Sequence, residues 1–276
     1  MPQRLPRFSR EDWQTWRNQG WTARDIARHV GLSRSRVDQL ARHYGRTAAT
    51  DPLYRLTQPG LPRRFDAQTE ADAYALGLLW GTAGFPDAQT LLIRHRDRAL
   101  VTLLQDLLDV SGSITTGSTP SGLQTRLKIS RTTIVRSLRQ WLTDQGWTPR
   151  QAAVRPYPMG PLDDRAFIRA WMELHAVTDQ ARTGRRRQYR VRLRIYGNYA
   201  LLTTMNNQIS TGTGLALRTL QNTTNVSTRA LYYTGQSAHT VLQWLYQDAT
   251  VWHPAAQTRL WAPLIRKSPR TSKKNG

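Results

Sequence analysis

Tyr74-Ala-Leu-Gly-Leu-Leu-Trp-Gly-Thr-Ala-Gly-Phe85 and Phe167-Ile-Arg-Ala-Trp-Met-Glu-Leu-His-Ala-Val177 each read as an apolar helix leading towards a strand. Ala73, Gly77 and Gly81 recur every four residues, one stripe on which a second helix can come close. Ala166 and Ala170 do the same in the second segment. Setting Thr82 against His175 aligns two copies of one element order, 93 positions apart.

In the first copy, helix Glu70–Gly81 leads to strand Thr90–Arg96, and a leucine-rich helix follows with Leu100, Leu103, Leu104, Leu107 and Leu108. A hairpin-like pair near Ile114–Thr116 and Leu123–Ser130 precedes helix Thr132–Gln145. The second copy runs from helix Asp164–Ala176 to strand Gln188–Ile195, then a helix with Tyr199, Leu202, Met205 and Ile209. A strand pair near Leu215–Gln221 and Val226–Thr234 and helix Ala238–Tyr246 close it, and a segment with Trp252, Leu260 and Trp261 should pack beneath.

Strand alternation separates two faces. Arg190, Arg192 and Arg194 oppose Tyr189, Val191, Leu193 and Ile195; Gln124, Arg126 and Lys128 oppose Leu123, Leu127 and Ile129; Arg94 and Arg96 oppose Leu91 and Ile93. A sheet that is only solvated usually mixes charge signs or uses Thr, so a one-sided basic face points to a polyanion. In the last strand pair only Arg218 and Arg229 stand out.

The doubled order over roughly 190 residues, with its paired signature helices, resembles the LAGLIDADG homing endonucleases. The resemblance implies an α+β fold, a duplicated αββαββα body whose saddle-shaped antiparallel sheet lies along the major groove. It implies base or backbone contacts for Arg94, Arg96, Gln124, Arg126, Lys128, Arg190, Arg192, Arg194 and Arg229. It also implies that residues 82 and 175 meet where active members hold a divalent metal on two carboxylates. Here those residues are Thr82 and His175. Asp87 and Glu173 are the fallback acids, though residues two apart on a helix do not share a face, so Glu173 should point away from position 175. The expectation is therefore a nuclease-inactive DNA binder without cofactor; magnesium enters only under the alternative of an active divergent endonuclease. An RNA-binding intron maturase is the second alternative.

Before the body, Ser9 offers a cap for a helix with Trp13 and Trp16, and Thr22 caps a second that ends at Gly31. Ser33 caps a third, Arg34 to about Tyr44, presenting Arg34, Ser35, Arg36, Gln39 and Arg42 outward. Ile26, Ala27, Val30, Leu32, Val37 and Leu40 can form its core. This resembles a helix-turn-helix whose third helix reads the major groove, though such a unit also serves as a packing module. Regulators of the WhiA type join similar parts in the opposite order. The expected domains are 1–47 for this unit, a Pro-containing linker at 48–68, repeats at 69–158 and 159–262, and a basic tail at 263–276.

The chain has 276 residues, 40 basic against 18 acidic, and a net charge of +22. Only Lys128, Lys267, Lys273 and Lys274 are lysine. A GC-rich coding sequence explains Arg in place of Lys, but not the shortage of acids; the excess points to nucleic acid. With no cysteine there is no disulfide, thiolate zinc site or thiol nucleophile. No apolar leader or run of membrane-spanning length is present in the sequence. The expected setting is cytoplasmic and nucleoid-associated, with a monomer on duplex DNA and no membrane partner.

Overall fold

A computed structural model describes residues 8–19, 21, 23–44, 65–110, 112–120, 122–130, 132–148, 155–183 and 188–265. The chain divides into two compact units, Met1–Arg63 and Arg64–Gly276.

In the first unit, α1 (Arg10–Asn18), α2 (Ala23–Val30) and α3 (Arg34–His43) close on Phe8, Trp13, Ile26, Ala27, Val37, Leu40 and Ala41. Ser9 and Asp12 cap α1 reciprocally: the Asp12 amide donates to Ser9 Oγ at 3.0 Å and the Ser9 amide to Asp12 Oδ2 at 2.8 Å. Gly31 takes φ +65°, the left-handed geometry that lets α2 turn sharply into α3. Ser33 Oγ accepts the Arg36 amide at 3.2 Å, so the expected cap is present. Thr22 lies outside the described residues.

The second unit is a doubled αββαββα arrangement, an α+β fold. Helix α4 (Glu70–Thr82) is followed by β1 (Ala83–Gly84), β2 (Leu91–His95), α5 (Arg98–Leu107), β3 (Ser113–Thr119), β4 (Gly122–Ile129) and α6 (Thr132–Asp144). Then come α7 (Asp164–His175), β5 (Ala176–Thr183), β6 (Gln188–Gly197), α8 (Tyr199–Thr213), β7 (Gln221–Asn222), β8 (Arg229–Thr234), α9 (Gln236–Tyr246) and α10 (Pro254–Ile265). The two antiparallel sheets have the same strand order, β1-β2-β4-β3 and β5-β6-β8-β7.

The central helices α4 and α7 pack along the small-residue stripe. A Cβ on Gly77 would lie 2.7 Å from Ala170 Cβ and from the Phe167 carbonyl oxygen. One on Gly81 would lie 2.6 Å from His175 Nε2, so the two helix ends meet. Glu173 ties this seam together. It accepts hydrogen bonds from Tyr74 Oη of α4, from Tyr246 Oη of α9 at 2.8 Å and from the His253 amide at 3.0 Å. Arg169, fully buried in α7, reaches Glu70 of α4 and the carbonyls of Leu245 and Val251. Such a buried ion needs those partners, because an unpaired one would cost several kcal/mol.

Several expectations shift. Strands β1 and β5 extend each signature helix and are absent from the residue-by-residue reading. Residues 215–220 do not form a strand: the Asn206 side chain accepts the Arg218 amide and donates to its carbonyl, and Ser210 Oγ donates to the Leu215 carbonyl. Side chains of α8 satisfy this backbone in place of a neighbouring strand. Residues 65–68 pack with the body rather than forming linker: Phe65 stacks on Trp141 at 4.6 Å, and the Ala67 carbonyl accepts the Asp163 amide at 2.8 Å. The rest of the linker and the tail beyond 265 lie outside the described residues.

Candidate nucleic-acid interface

On each sheet one pleat parity is core and the other is largely open, with Ala230 a buried exception on the second. Leu91, Ile93, Leu127 and Ile129 of the first sheet, and Leu193, Ile195, Leu231 and Tyr233 of the second, are buried against the helices. The first sheet's other parity carries exposed Arg94, Arg126 and Lys128. Arg94 stands directly opposite Arg126, and Arg126 Nε donates to Gln124 Oε1 at 3.2 Å. Like charges at opposed positions repel, so this face gains from an anionic partner. Arg96 follows the last paired residue of β2 and lines a cavity of about 440 Å³ with His95, Asp97, Glu173, His253 and Arg259. Its side is therefore not set by the pleat, contrary to the alternation reading.

The second sheet is built differently. Arg190 is exposed, but Arg192 pairs in register with Asp179 of β5. Arg192 Nε and Nη2 donate to the two carboxylate oxygens of Asp179 at 3.1 and 2.9 Å, and Arg194 Nη2 reaches Oδ2 at 2.6 Å. The Arg192 hydrogen bonds and both guanidinium charges hold the Asp179 pKa below the usual carboxylate range. Arg192 also lies over Tyr232 and Arg194 over Tyr196, each guanidinium carbon 5.9 Å from the ring centre. Arg229 needs correction. It shares the parity of Leu231 and Tyr233 on the helix side, and its Nη1 donates to the carbonyls of Val226 and Thr228 at 2.8 and 3.1 Å. It closes a turn and does not extend the basic face.

At the helix ends, Thr82 Oγ1 donates to the Leu78 carbonyl at 2.7 Å. His175 lies against Trp171, ring centres 4.1 Å apart, with Nε2 shut from solvent and without a hydrogen-bond partner. Burial, helped by His95, pushes its pKa down to about 4, so the ring is neutral at physiological pH. Glu173 faces the seam tyrosines, away from this point as helical geometry requires, and burial raises its pKa to about 7. Asp87 is in a loop where Oδ1 accepts the Gln89 amide at 2.7 Å; that bond leads the lowering of its pKa. Among the described residues no group of three or more His, Cys, Asp or Glu is placed to hold a metal ion. A threonine whose hydroxyl is tied to its own helix and a desolvated imidazole do not fit magnesium, which takes hard oxygen ligands.

Two arginines take the carbonyls at these ends instead. Arg155 donates to the Trp80 and Ala83 carbonyls, and Arg259 Nη2 to the Glu173 carbonyl at 2.7 Å. Trp80 and Glu173 are again 93 positions apart. The negative ends of both helices are thus met by guanidinium. Sequence reading missed Arg155, Arg259 and Asp179, because each acts through a register or a fold contact that spacing does not display.

In the N-terminal unit, Arg34, Ser35, Arg36 and Gln39 are exposed on α3. Arg34 lies 3.8 Å from Asp38, and Arg36 Nη1 donates to Gln39 Oε1 at 3.2 Å. Arg42 falls in α3, but its side chain lies outside the described residues.

No family model matches the chain. No curated protein sequence matches it either. Among solved structures, the I-LtrWI LAGLIDADG homing endonuclease bound to target DNA is similar at 9% identity, covering 68% of this chain and 87% of that chain, with a TM-score of 0.49. The homing endonuclease I-WcaI bound to its DNA recognition sequence is similar at 8% identity, covering 71% and 88%, with a TM-score of 0.47. The meganuclease I-SmaMI bound to uncleavable DNA is similar at 10% identity, covering 68% and 88%, with a TM-score of 0.46.

Proposed function

We propose that this chain is a sequence-specific double-stranded DNA-binding protein whose doubled body no longer cuts. The observation that carries the reading is the division of both sheets into an apolar buried parity and an open parity bearing Arg94, Arg126, Lys128, Arg190, Arg192 and Arg194. A two-stranded ribbon fits the major groove, and Arg, Lys and Gln match its base edges and flanking phosphates. The net charge of +22 supplies long-range attraction. The exposed α3 residues support a second, helix-turn-helix contact from the N-terminal unit. Loss of cutting is supported by Thr82 and His175 at the helix ends, neither fitted to hold a divalent cation. A transcriptional regulator or a DNA-binding factor of a mobile element or phage, acting as a monomer, fits this combination.

Titrating labelled duplex across salt tests the reading. Binding is expected to weaken by roughly a thousandfold or more between 50 and 200 mM salt, as for a protein neutralising six or more phosphates. A flat affinity, or preference for structured RNA in competition, would count against it. The rival cutting enzyme rests on Asp87, which is charged and outside the seam network; magnesium-dependent strand breaks that vanish in Asp87→Asn would favour it.

A further inference from the structure

We propose that Asp179 sets sequence specificity by locking Arg192 and Arg194 into a pair of fixed forks aimed at guanine edges. This rests on the reading of the body as a duplex binder and deepens it.

Asp179 lies on the open parity of β5, one position across the ladder from Arg192. Its carboxylate engages Nε and Nη2 of Arg192 and Nη2 of Arg194. Asp179 takes neither Nη1, and an Nη1–Nη2 edge is the fork that pairs with O6 and N7 of guanine. Arg194 Nε is buried and without a hydrogen-bond partner, so that edge of its guanidinium is shut from solvent while Nη2 is held by Asp179. Tyr232 and Tyr196 lie under the two guanidinium planes and restrict them further. The three side chains are each about one-quarter to one-third exposed: 30% for Asp179, 32% for Arg192 and 25% for Arg194.

A carboxylate on a phosphate-binding face lowers general attraction, so charge alone gives it no advantage there. It gains one if it fixes direction. A free arginine follows the nearest phosphate, whereas a buttressed one gives up rotamer freedom before binding and tolerates fewer base steps. The first sheet has no such fork on its strands: the position 93 residues before Asp179 is Pro86, Arg126 is flanked across the ladder by Arg94 and Thr115, and the loop acid Asp87 acts on Lys128 through charge alone. Guanine readout by forks is thus assigned to the second repeat, and less selective attraction to the first.

The test selects sites from a random duplex library with the full chain, its Asp179→Asn variant and its Arg192→Lys variant, then measures binding to the selected and to a scrambled duplex. The wild type is expected to enrich fixed guanines within one half of its site. Asp179→Asn should bind scrambled duplex severalfold tighter and lose roughly tenfold to a hundredfold of its preference. Arg192→Lys keeps the charge and loses the fork, so it should lose the same guanines without tighter scrambled binding. Unchanged preference in both variants overturns the inference while duplex binding stands, as does enrichment of A·T pairs in place of G·C pairs at those positions. A wild type that binds no duplex overturns the reading of the body and this inference with it.

Discussion

In the first sheet Arg94 faces Arg126 across the ladder, while in the second Arg192 and Arg194 converge on Asp179. Strand order, core parity and the handover from central helix to first strand are otherwise shared. The buried parity is constrained by packing, so Ile93 and Ile195 take matching places in register with Ala83 and Ala176. The open parity is free of that constraint, and there the halves have diverged. Fold symmetry therefore says little about how each half treats a ligand.

The sharpest separation of shared from divergent parts is at the seam. Gly77→Val should cost about 3 kcal/mol or more, because its side chain would press on Ala170 and on backbone of α7. Gly84→Ala at the start of the first sheet, nearest to the Leu92 carbonyl at 4.0 Å, should change stability by less than about 1 kcal/mol. Denaturant melts of both variants check this; an undisturbed Gly77→Val would mean the halves do not depend on close helix contact.

The seam also has a pH signature. The Glu173 pKa rises in the fold from 4.5 to about 7, so the folded chain retains a proton the unfolded chain has lost between those values. Its contribution falls as pH climbs through that window, by about 3 kcal/mol at most. His175, lowered from 6.5 to about 4, acts oppositely: its contribution is present above 6.5 and is lost as pH falls towards 4. The two oppose between 4.5 and 6.5. In Glu173→Gln the stability should rise with pH from 4 to 6.5 without the later decline; melts from pH 4 to 8 that keep the decline would remove Glu173 as its source.

On the open faces the effects are smaller and differ in kind. Arg192→Ala should cost about 2 kcal/mol on a preferred duplex and little on a scrambled one. Arg126→Ala should cost about 1 kcal/mol on every duplex and lower the salt slope by about one. Isothermal binding on both duplexes at two salt concentrations checks the pair; identical behaviour would erase the distinction between the sheets.

The body was legible because core strands alternate and Gly77, Gly81, Ala166 and Ala170 mark a close helix contact. What escaped was polar or cooperative. Residues 176–183 include Thr178, Asp179 and Gln180, with no apolar alternation to announce β5. Without β5 the partner of Arg192 is invisible. Arg229 was within reach of the alternation: two residues before Leu231 and four before Tyr233, it falls on their core parity wherever β8 begins. Arg169 did carry a signal: a lone charge between Phe167, Ile168, Ala170 and Trp171 must find buried partners.

The most direct test incubates the full chain with a random duplex library in magnesium buffer, scoring bound sequences and strand breaks in the same tubes. Enrichment of a defined site, recovered as intact duplex, is expected. Double-strand breaks at a fixed position within the enriched site would contradict it.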